Sequence, residues 1–255
     1  MILAIIQARS SSKRLPGKVL LPILGRPMLA LQVERVARAE LPDKVIVATS
    51  TEPSDDAIAV MCRDIGVGCF RGSLDDVLER FYRAAEHFGA DHIVRLTGDC
   101  PLSDPAIIDA VVRLHLAGGY DYTSNVTPPT FPDGLDVEVV VAEALVQAHH
   151  EACRASDREH VTVWIREHSC PARCGSFAHS PDLSELRWTV DMSEDFDFAR
   201  EVFERLYPQN PRFNMDDVLA LLAVRPDLKA INSGSRRNEA LAKSLHDEAA
   251  RTQER

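Results

Sequence analysis

No apolar run in the chain approaches the roughly 20 residues needed to cross a lipid bilayer. The apolar stretch at residues 1–6 is too short for the core of a secretion signal, and no basic segment precedes it. Positive charge is in deficit, since 29 Lys and Arg face 39 Asp and Glu and leave a net charge of −10. We therefore expect a cytoplasmic protein that binds neither nucleic acid nor a membrane through its general charge.

Several familiar motifs are missing as well. The six cysteines are scattered, and no Cys and His spacing completes a known zinc site, so reduced thiols are the simplest interpretation. Neither the phosphate-binding pattern G-x-x-x-x-G-K-[ST] nor the dinucleotide pattern G-x-G-x-x-G occurs. If the chain binds a nucleotide, a different loop must hold it.

What the first 120 residues do have is a regular alternation of short apolar strands and amphipathic helices. The predicted strands are 2–6, 45–48, 67–70 and 92–96, and the predicted helices lie near 27–39, 54–64, 74–88 and 105–117. Strands that alternate with helices form parallel sheets through right-handed crossovers. We therefore predict an α/β protein whose mostly parallel sheet is covered by helices on both faces.

The pattern changes after residue 120. A proline-rich loop at 127–134 precedes a β-branched run that predicts a strand over 135–141. Further predicted helices lie near 142–152, 157–168, 194–205 and 215–223, with strands near 173–178 and 186–190. We expect one domain over 1–240 and a polar tail over 241–255.

A basic loop follows the first strand. The segment QARSSSKRLPGK places four positive side chains within twelve residues: Arg9, Lys13, Arg14 and Lys18. Ligands of open parallel sheets bind at the carboxyl ends of the strands, where this loop lies. Its serines offer hydrogen-bond donors, and Gly17 permits close approach of the backbone. A solvated surface loop is the plain alternative, and the residues alone indicate an anion site without identifying the anion.

Three more strand ends carry polar residues. These are Thr49–Thr51, Arg71–Ser73 and Thr97–Asp99. Cationic groups beside an isolated acid suit a polyphosphate with a divalent metal, and Mg²⁺ commonly takes only one or two carboxylates. Asp99 has a plainer interpretation too, because an aspartate in Gly-Asp-x-Pro is often only a turn acceptor.

The opening segment AIIQARSSSKRLPGKVLLPILGRPML resembles the cytidylyltransferase family, which makes CMP-activated acidic sugars. The most similar branch is the one called spore-coat polysaccharide biosynthesis protein F-like, a relative of the CMP-sialate and CMP-Kdo synthetases. Further blocks resemble that branch in its order: FRGSLDDVLERFYRAA, VRLTGDCPLSDP, TSNVTPPTFPDGLDVEVV, REHVTVWIREH, LRWTVDMSEDF and SRRNEALAKSL. The resemblance covers nearly the whole chain.

The resemblance implies nucleotidyl transfer on a Rossmann-like, glycosyltransferase-A-like sheet. An acceptor oxygen would attack the α-phosphate of CTP and release pyrophosphate. The implied catalytic residues are Arg9, Lys18, Asp99 and Asp191. The implied nucleotide-binding residues are Ala8, Arg9, Ser10, Lys13, Arg14, Lys18, Thr49, Arg71 and Asp99. Asp99 and Asp191 would bind Mg²⁺. A cap for the following helix is the alternative interpretation of Asp191, and Asp195 and Asp197 are the alternative carboxylates for the metal.

The resemblance also places the acceptor and a homodimer contact in the region 126–180. The implied acceptor-binding residues are Asn125, Asp133, Asp136, Glu138, Arg158 and His160. A polar strand face and a structural salt bridge are the alternatives for these positions. Gln7 departs from the proline that many sialate- and Kdo-activating members carry, so the acceptor is left open. A phosphonate, a polyol phosphate, an amino sugar, a nucleotide other than CTP, or nucleotide binding without turnover are the alternatives.

Overall fold

The strands of the protein form one large sheet and one small hairpin. The structure is a computed structural model that describes residues 1–232, Arg237 and Ser244. The strands are β1 (Ile2–Gln7), β2 (Pro22–Ile23), β3 (Arg26–Pro27), β4 (Lys44–Ser50), β5 (Gly68–Gly72), β6 (His92–Thr97), β7 (Tyr122–Ser124), β8 (Glu138–Val141) and β9 (Cys174–Ser176). The large sheet has the order β5-β4-β1-β6-β8-β7-β9, and β2 pairs with β3.

Helices cover both faces of the sheet. They are α1 (Met28–Val36), α2 (Asp56–Asp64), α3 (Val77–Phe88), α4 (Pro105–Gly118), α5 (Ala142–Glu151), α6 (Ala155–His160), α7 (Val163–His168), α8 (Ser193–Leu206) and α9 (Met215–Val224). Short 3₁₀ turns occur at Lys18–Leu20, Pro53–Asp55, Pro171–Arg173 and Pro226–Ala230. Within the described residues, none of the helices has the length and apolarity to cross a membrane.

The continuous apolar sequence of β1 is explained by its position in the centre of the sheet. It pairs in parallel with β4 on one side and β6 on the other, so that Gln7 lies opposite Ala48 and Thr97. Leu3 and Ile5 pack into the core on one face of the sheet, while Ala4 and Ile6 pack into the core on the other. A strand buried on both faces has no polar positions to alternate, and the predicted strand at 2–6 is confirmed.

The predicted α/β class with a mostly parallel sheet is confirmed, and β8 is the exception. It runs antiparallel between β6 and β7, whereas β7 and β9 are parallel to each other. The strand predicted over 135–141 begins only at Glu138, and β7 was not predicted. Of the tail predicted at 241–255, only Ser244 lies within the described residues. The division into one domain over 1–240 with an acceptor region at 126–180 stays a prediction.

Two predicted elements are wrong. The single helix predicted over 157–168 is broken into α6 and α7 by Val161, whose φ of 59° lies in the left-handed region. The strand predicted at 186–190 is absent from the described residues, where only one bridge joins Asp133 to Arg187. The backbone N–H groups of Trp188 and Thr189 donate to the carbonyl of Asp133, and a loop contact therefore replaces the ladder of a strand.

Candidate active site

The basic loop after β1 is folded back on itself. Gly17 has a φ of 69°, and its N–H donates to the Ser10 carbonyl over 2.9 Å. The Ser10 N–H donates to the buried carboxylate of Asp55 over 2.7 Å. Asp55 also accepts bonds from the N–H and hydroxyl of Ser50, at the end of β4. Burial raises the pKa of Asp55, but these hydrogen bonds outweigh burial, lower the pKa overall and keep the carboxylate charged. The loop is therefore tied to the neighbouring strand end.

The loop after β6 lies directly against the end of β1. The Gly98 N–H donates to the Gln7 carbonyl over 2.8 Å. A Cβ atom at Gly98 would lie 2.9 Å from both that carbonyl oxygen and the Ala8 Cβ, which is closer than side chains tolerate. Glycine is therefore required for Asp99 to reach the basic loop.

Lys18 joins the two aspartates that the sequence predicted as a pair. Its Nζ donates to Asp99 Oδ2 over 3.0 Å, to Asp191 Oδ1 over 2.9 Å and to the Val190 carbonyl over 2.7 Å. The Lys18 side chain is 9% exposed, while those of Asp99 and Asp191 are 27% and 21% exposed. Two carboxylates from distant parts of the sequence thus contact one ammonium group at the carboxyl ends of the central strands.

Charge pairing dominates the protonation of this group. Burial raises the pKa of Asp99, but the charge and hydrogen bond of Lys18 outweigh burial and lower the pKa to about 2. Burial lowers the pKa of Lys18, yet Asp99 and Asp191 raise it above its usual value. At neutral pH Asp99 is therefore a charged carboxylate and Lys18 a charged ammonium.

The donor set fits a divalent cation. The Lys18 ammonium stands between two carboxylate oxygens within hydrogen-bond distance, so this point of the site already favours positive charge. Oxygen ligands from one or two carboxylates, completed by phosphate and water, are typical of Mg²⁺. Residues 1–232, 237 and 244 contain no cluster of three or more His, Cys, Asp or Glu side chains, as a site built only of protein ligands would need.

A buried framework holds Asp191 from behind. Arg187 Nη2 donates to Asp191 Oδ2 over 3.1 Å and to Asp195 Oδ2 over 3.0 Å, and Arg187 Nε donates to Asp195 Oδ1 over 2.9 Å. Asp195 in turn accepts from the N–H groups of Asp191 and Met192, at the start of α8. Burial raises the pKa of Asp195, but its bonds to Arg187 lower the pKa overall. Asp195 therefore caps the helix, which leaves Asp191 facing Lys18.

Positive charge surrounds the pair on the nucleotide side predicted from the sequence. Arg14 pairs with Asp191 Oδ2 over 2.8 Å. Arg9 and Lys13 are exposed, and neither forms an ion pair or hydrogen bond with a residue that the structure describes. Arg71 bonds to the carbonyls of Ser50 and Glu52 and pairs with Asp56 at the end of β5.

The other residues predicted to bind the nucleotide lie close to the same strand ends. Ala8 is buried, and its N–H donates to Ala48 over 3.0 Å; Thr49 is fully buried in β4. The Ser10 hydroxyl is buried without a hydrogen-bond partner among the described residues. Nucleotide binding by these residues stays a prediction.

The residues predicted to bind the acceptor are engaged in internal contacts. Asn125 is fully buried, donates to the Leu135 carbonyl over 2.7 Å and accepts from the Val137 N–H over 2.8 Å. Glu138 accepts from the hydroxyls of Tyr122 and Thr162 over 2.6 and 2.7 Å. Both side chains hold the local fold, and any role in acceptor binding stays a prediction.

Asp133 and Asp136 lie together under Arg237. Arg187 Nη1 donates to Asp133 Oδ2 over 3.2 Å, and Arg237 pairs with Asp136 and donates to the Phe131 carbonyl over 3.0 Å. Burial raises the pKa of Asp136 to about 7 despite the opposing charge of Arg237. Of the predicted acceptor residues, Asp136 is thus the carboxylate whose charge is most weakly held near neutral pH.

Arg158 and His160 lie apart from the Lys18 group. Arg158 pairs with both oxygens of Asp76, the capping residue of α3, and donates to the His149 carbonyl over 2.6 Å. The His160 ring meets the Ser244 hydroxyl at 3.1 Å. The structure therefore agrees with a salt bridge for Arg158, one of the alternatives that the sequence left open.

Several residues around the site were not predicted. They are Asp55, Arg80, Arg95, Arg166, Arg187 and Arg237. Arg80 had a signal, because it falls on the apolar stripe of α3 with Val77, Phe81 and Ala84. Its Nη1 donates to the Ser73 carbonyl over 2.6 Å, and its buried Nε has no partner among the described residues. Burial and the charge of Arg9 lower the pKa of Arg80 to about 10.

Two solved structures share this architecture. A cytidylyltransferase from Leptospira borgpetersenii serovar Hardjo-bovis has a TM-score of 0.86 at 30% identity, covering 92% of this chain and 99% of that one. A CMP:2-keto-3-deoxy-manno-octonic acid synthetase complexed with CTP has a TM-score of 0.64 at 16% identity, covering 80% and 98% of the two chains. At that identity the second structure supports the fold alone, which is the α/β nucleotidyltransferase fold.

Sequence comparison gives the same family. The spore coat polysaccharide biosynthesis protein SpsF of Bacillus subtilis is 34% identical over 234 residues, which are 89% of this chain and 95% of that protein. A family model described as cytidylyltransferase matches residues 3–210. The resemblance found in the motifs is thereby confirmed, and the chain belongs to the cytidylyltransferase family of nucleotidyltransferases.

Proposed function

We propose that the protein is a Mg²⁺-dependent enzyme that transfers CMP from CTP to an acidic sugar in surface glycan biosynthesis. The observation that carries the proposal is the convergence of Lys18, Asp99 and Asp191 at the carboxyl ends of the central strands. That arrangement places one fixed cation and two carboxylates where a sheet of this class binds its ligands.

The chemistry asks for positioning and charge neutralisation. An acceptor hydroxyl loses its proton and attacks the α-phosphorus of CTP, a new P–O bond forms, and the bond to the β-phosphate oxygen breaks as pyrophosphate leaves. Arg9 and Lys13, which have no anionic partner among the described residues, supply charge for the triphosphate. Lys18 and Arg14 then contact the transferred and departing phosphates.

Asp99 and Asp191 would hold the metal. Mg²⁺ bound there would neutralise phosphate charge during transfer. Both residues are placed without help from a ligand, because Gly98 sets the loop of Asp99 and Arg187 fixes Asp191. This preorganisation lowers the cost of assembling the site when CTP arrives.

The relatives support the class of acceptor. SpsF is named for spore coat polysaccharide biosynthesis, and the synthetase solved with CTP is named for an acidic octonic sugar. The acceptor would lie on the β8 side of the sheet, where Asp133, Asp136 and Glu138 follow one another. We also propose a homodimer through 126–180 and a cytoplasmic location; light scattering coupled to gel filtration tests the first.

Pyrophosphate release tests the function. Purified protein would be incubated with Mg²⁺, one nucleoside triphosphate and a panel of 2-keto acid sugars, phosphonates, polyol phosphates and amino sugars. We expect release with CTP and at least one 2-keto acid sugar. Release with ATP or GTP but not CTP would overturn the cytidylyl transfer, and tight CTP binding without release for any acceptor would favour a non-catalytic protein.

The Asp99→Asn variant tests the site itself. Removing one carboxylate should lower the rate of release by roughly 10²–10⁴, while circular dichroism shows an unchanged fold. Asp64→Asn, on the exposed face of α2, is the matched control and should keep full activity. Wild-type turnover in Asp99→Asn would refute the assignment of this residue.

A further inference from the structure

A group of polar and charged side chains on β1, β6, β8, α6 and α7 is not used by the nucleotide site. We call Gln7, Arg95, Glu138, His160 and Arg166 the Arg95 cluster. Arg95 lies opposite Ile5 and Glu138 in the strand register, so its side chain projects from the same face of the sheet as Gln7. The cluster therefore lies at the carboxyl end of the central strands, beside the loop that carries Arg9.

Arg95 is held in place with one nitrogen left over. Its Nε donates to Gln7 Oε1 over 3.1 Å, and its Nη1 pairs with Glu138. Its Nη2 has no hydrogen-bond partner among the described residues, although the side chain is half-buried. The guanidinium is thus oriented by two neighbours and still has a donor face available.

Glu138 is the buried carboxylate of the cluster, and both of its oxygens already accept hydrogen bonds. One oxygen pairs with Arg95, and the other accepts from Tyr122 and Thr162. Burial raises the pKa of Glu138, but Arg95 and Arg166 lower it overall, so its single negative charge is already shared between two guanidinium groups. The two arginines of the cluster therefore exceed its one carboxylate. The carboxylate of Glu159 lies nearby but is exposed to solvent.

Arg166 is the cation without a fixed partner. It is half-buried on α7, and its side chain forms no ion pair or hydrogen bond with residues 1–232, 237 or 244. Arg166 follows Thr162 by one helical turn, and the Thr162 hydroxyl donates to Glu138 over 2.7 Å, so Arg166 lies on the side of α7 that meets the cluster. A half-buried guanidinium loses hydration without compensation unless an anion binds it, and planar carboxylates and phosphates are the anions that it binds best.

The backbone that places Arg166 is strained. Val161 is buried at φ 59° and ψ −58°, and the Thr162 N–H donates to the His160 carbonyl over 2.6 Å across this tight turn. A β-branched residue in such a conformation costs on the order of 1–3 kcal/mol, and such strain is concentrated at functional sites. Here the turn bends α7 back so that Thr162 reaches Glu138 and Arg166 lies over the cluster.

Arg9 lies between this cluster and the nucleotide side. Gln7, two residues before Arg9, accepts a hydrogen bond from Arg95, and the N–H of Ser10, directly after Arg9, donates to Asp55. If Arg9 contacts the phosphates, an acceptor on the other side of it would occupy the Arg95 cluster. We infer that Arg95 and Arg166 bind the anionic group of the acceptor, a carboxylate or a phosphate, and that Gln7 orients Arg95 for this contact. The inference rests on the proposed function.

The test measures acceptor affinity in CTP-loaded protein. Isothermal titration would use 2-keto-3-deoxy-manno-octonic acid as the carboxylate probe, its methyl ester as the neutral probe and glycerol 3-phosphate as the phosphate probe. Arg166→Gln should weaken binding of an anionic probe at least about tenfold and leave binding of CTP unchanged. The probe whose affinity depends on Arg166 identifies the anion as carboxylate or phosphate.

Three comparisons make the result decisive. Arg113→Gln, an exposed arginine of α4, is the control and should bind every probe as the wild type does. Arg166→Lys should bind with intermediate affinity, because it keeps the charge and loses the planar fork. The methyl ester should bind wild type and Arg166→Gln equally.

The inference would be overturned if no anionic probe bound the wild type, or if Arg166→Gln bound both acid and ester as the wild type does. An equal loss of acid and ester would also contradict it, because that pattern indicates a structural role. Pyrophosphate release separates this failure from that of the proposed function. Intact release without dependence on Arg166 refutes the subsite alone, whereas Arg166-dependent binding without release in the wild type refutes the transfer reaction alone.

Discussion

Replacing Lys18 by methionine would test the idea that its ammonium occupies a cation position. Methionine fills most of the same space, so the main loss is the charge and its three hydrogen bonds. Removing one partner of a buried ion pair costs about 3–5 kcal/mol. Because Asp99 and Asp191 keep 27% and 21% exposure, the lower end of that range applies. A loss of about 3 kcal/mol should lower the melting temperature by roughly 6–12 °C in a chain of this size.

The same variant should respond to magnesium. With Lys18 removed, the two carboxylates face each other without a cation, and Mg²⁺ can bind between them in the absence of CTP. Binding to the folded state alone stabilises a protein by RT ln(1 + [L]/Kd), which is about 2.7 kcal/mol at 100 times Kd. We therefore expect Mg²⁺ to restore much of the lost stability of Lys18→Met and to change wild-type stability far less.

Thermal melts followed by circular dichroism, with and without Mg²⁺, provide the measurement. Lys13→Met is the matched control, since Lys13 is an exposed lysine of the same loop without an ion pair among the described residues. It should melt like the wild type in both conditions. A Lys18→Met variant as stable as the wild type without metal, or one indifferent to Mg²⁺, would refute the reasoning.

Three further predictions concern stability. The fold lowers the pKa of Asp99 to about 2, so its charged form adds stability above the unfolded-state pKa of about 3.9 and this gain disappears as the pH falls toward about 2. Asp99→Asn should thus lose less unfolding free energy between about pH 5 and pH 2 in urea titrations, and an acid profile matching the wild type would contradict this. Arg187→Met removes the two hydrogen bonds that the buried Asp195 accepts from Arg187, and it should lower the free energy of unfolding in urea by about 3–5 kcal/mol. The exposed control Arg225→Met should leave the free energy of unfolding unchanged. Leu24 is 40% exposed at φ 52° in the two-residue turn between β2 and β3, so Leu24→Asn should raise stability by about 1 kcal/mol in the same assay, and a lower value would show that its side chain packs usefully.

The sequence predicted best the elements in which whole faces are either buried or exposed. β1 shows a continuous apolar run because both of its faces are covered, and α3 shows a clear apolar stripe because one face is covered. The break at Val161 could not be predicted, because no glycine or proline marks it and the apolar spacing of Val161, Trp164 and Ile165 continues the helical pattern through it. A distant contact decides it, namely the bond from Thr162 to Glu138.

The candidate site divides in the same way. The position of Lys18 and Asp99 follows from the rule that ligands bind at strand ends, and both lie there. Asp191 follows no strand in the structure, so only the family resemblance indicated it. Asp55 accepts a hydrogen bond from the backbone of Ser10, and Arg187 donates to the carboxylate of Asp191. The residues next to Asp55 and Arg187 in the sequence give no sign of these roles.

The position of β1 has a consequence for how such enzymes can diversify. Under the proposed function, the edge formed by β5 and β4 would bind CTP, and the opposite edge, with β8, β7 and β9, would bind the acceptor. Among the described strands, β1 and β6 lie between these two edges. In that arrangement, loops on the second edge would change to fit a different acceptor without altering the residues proposed to bind the triphosphate. The bond between Arg158 and Asp76 crosses from one half to the other, and it is a contact that grafted acceptor loops would have to preserve.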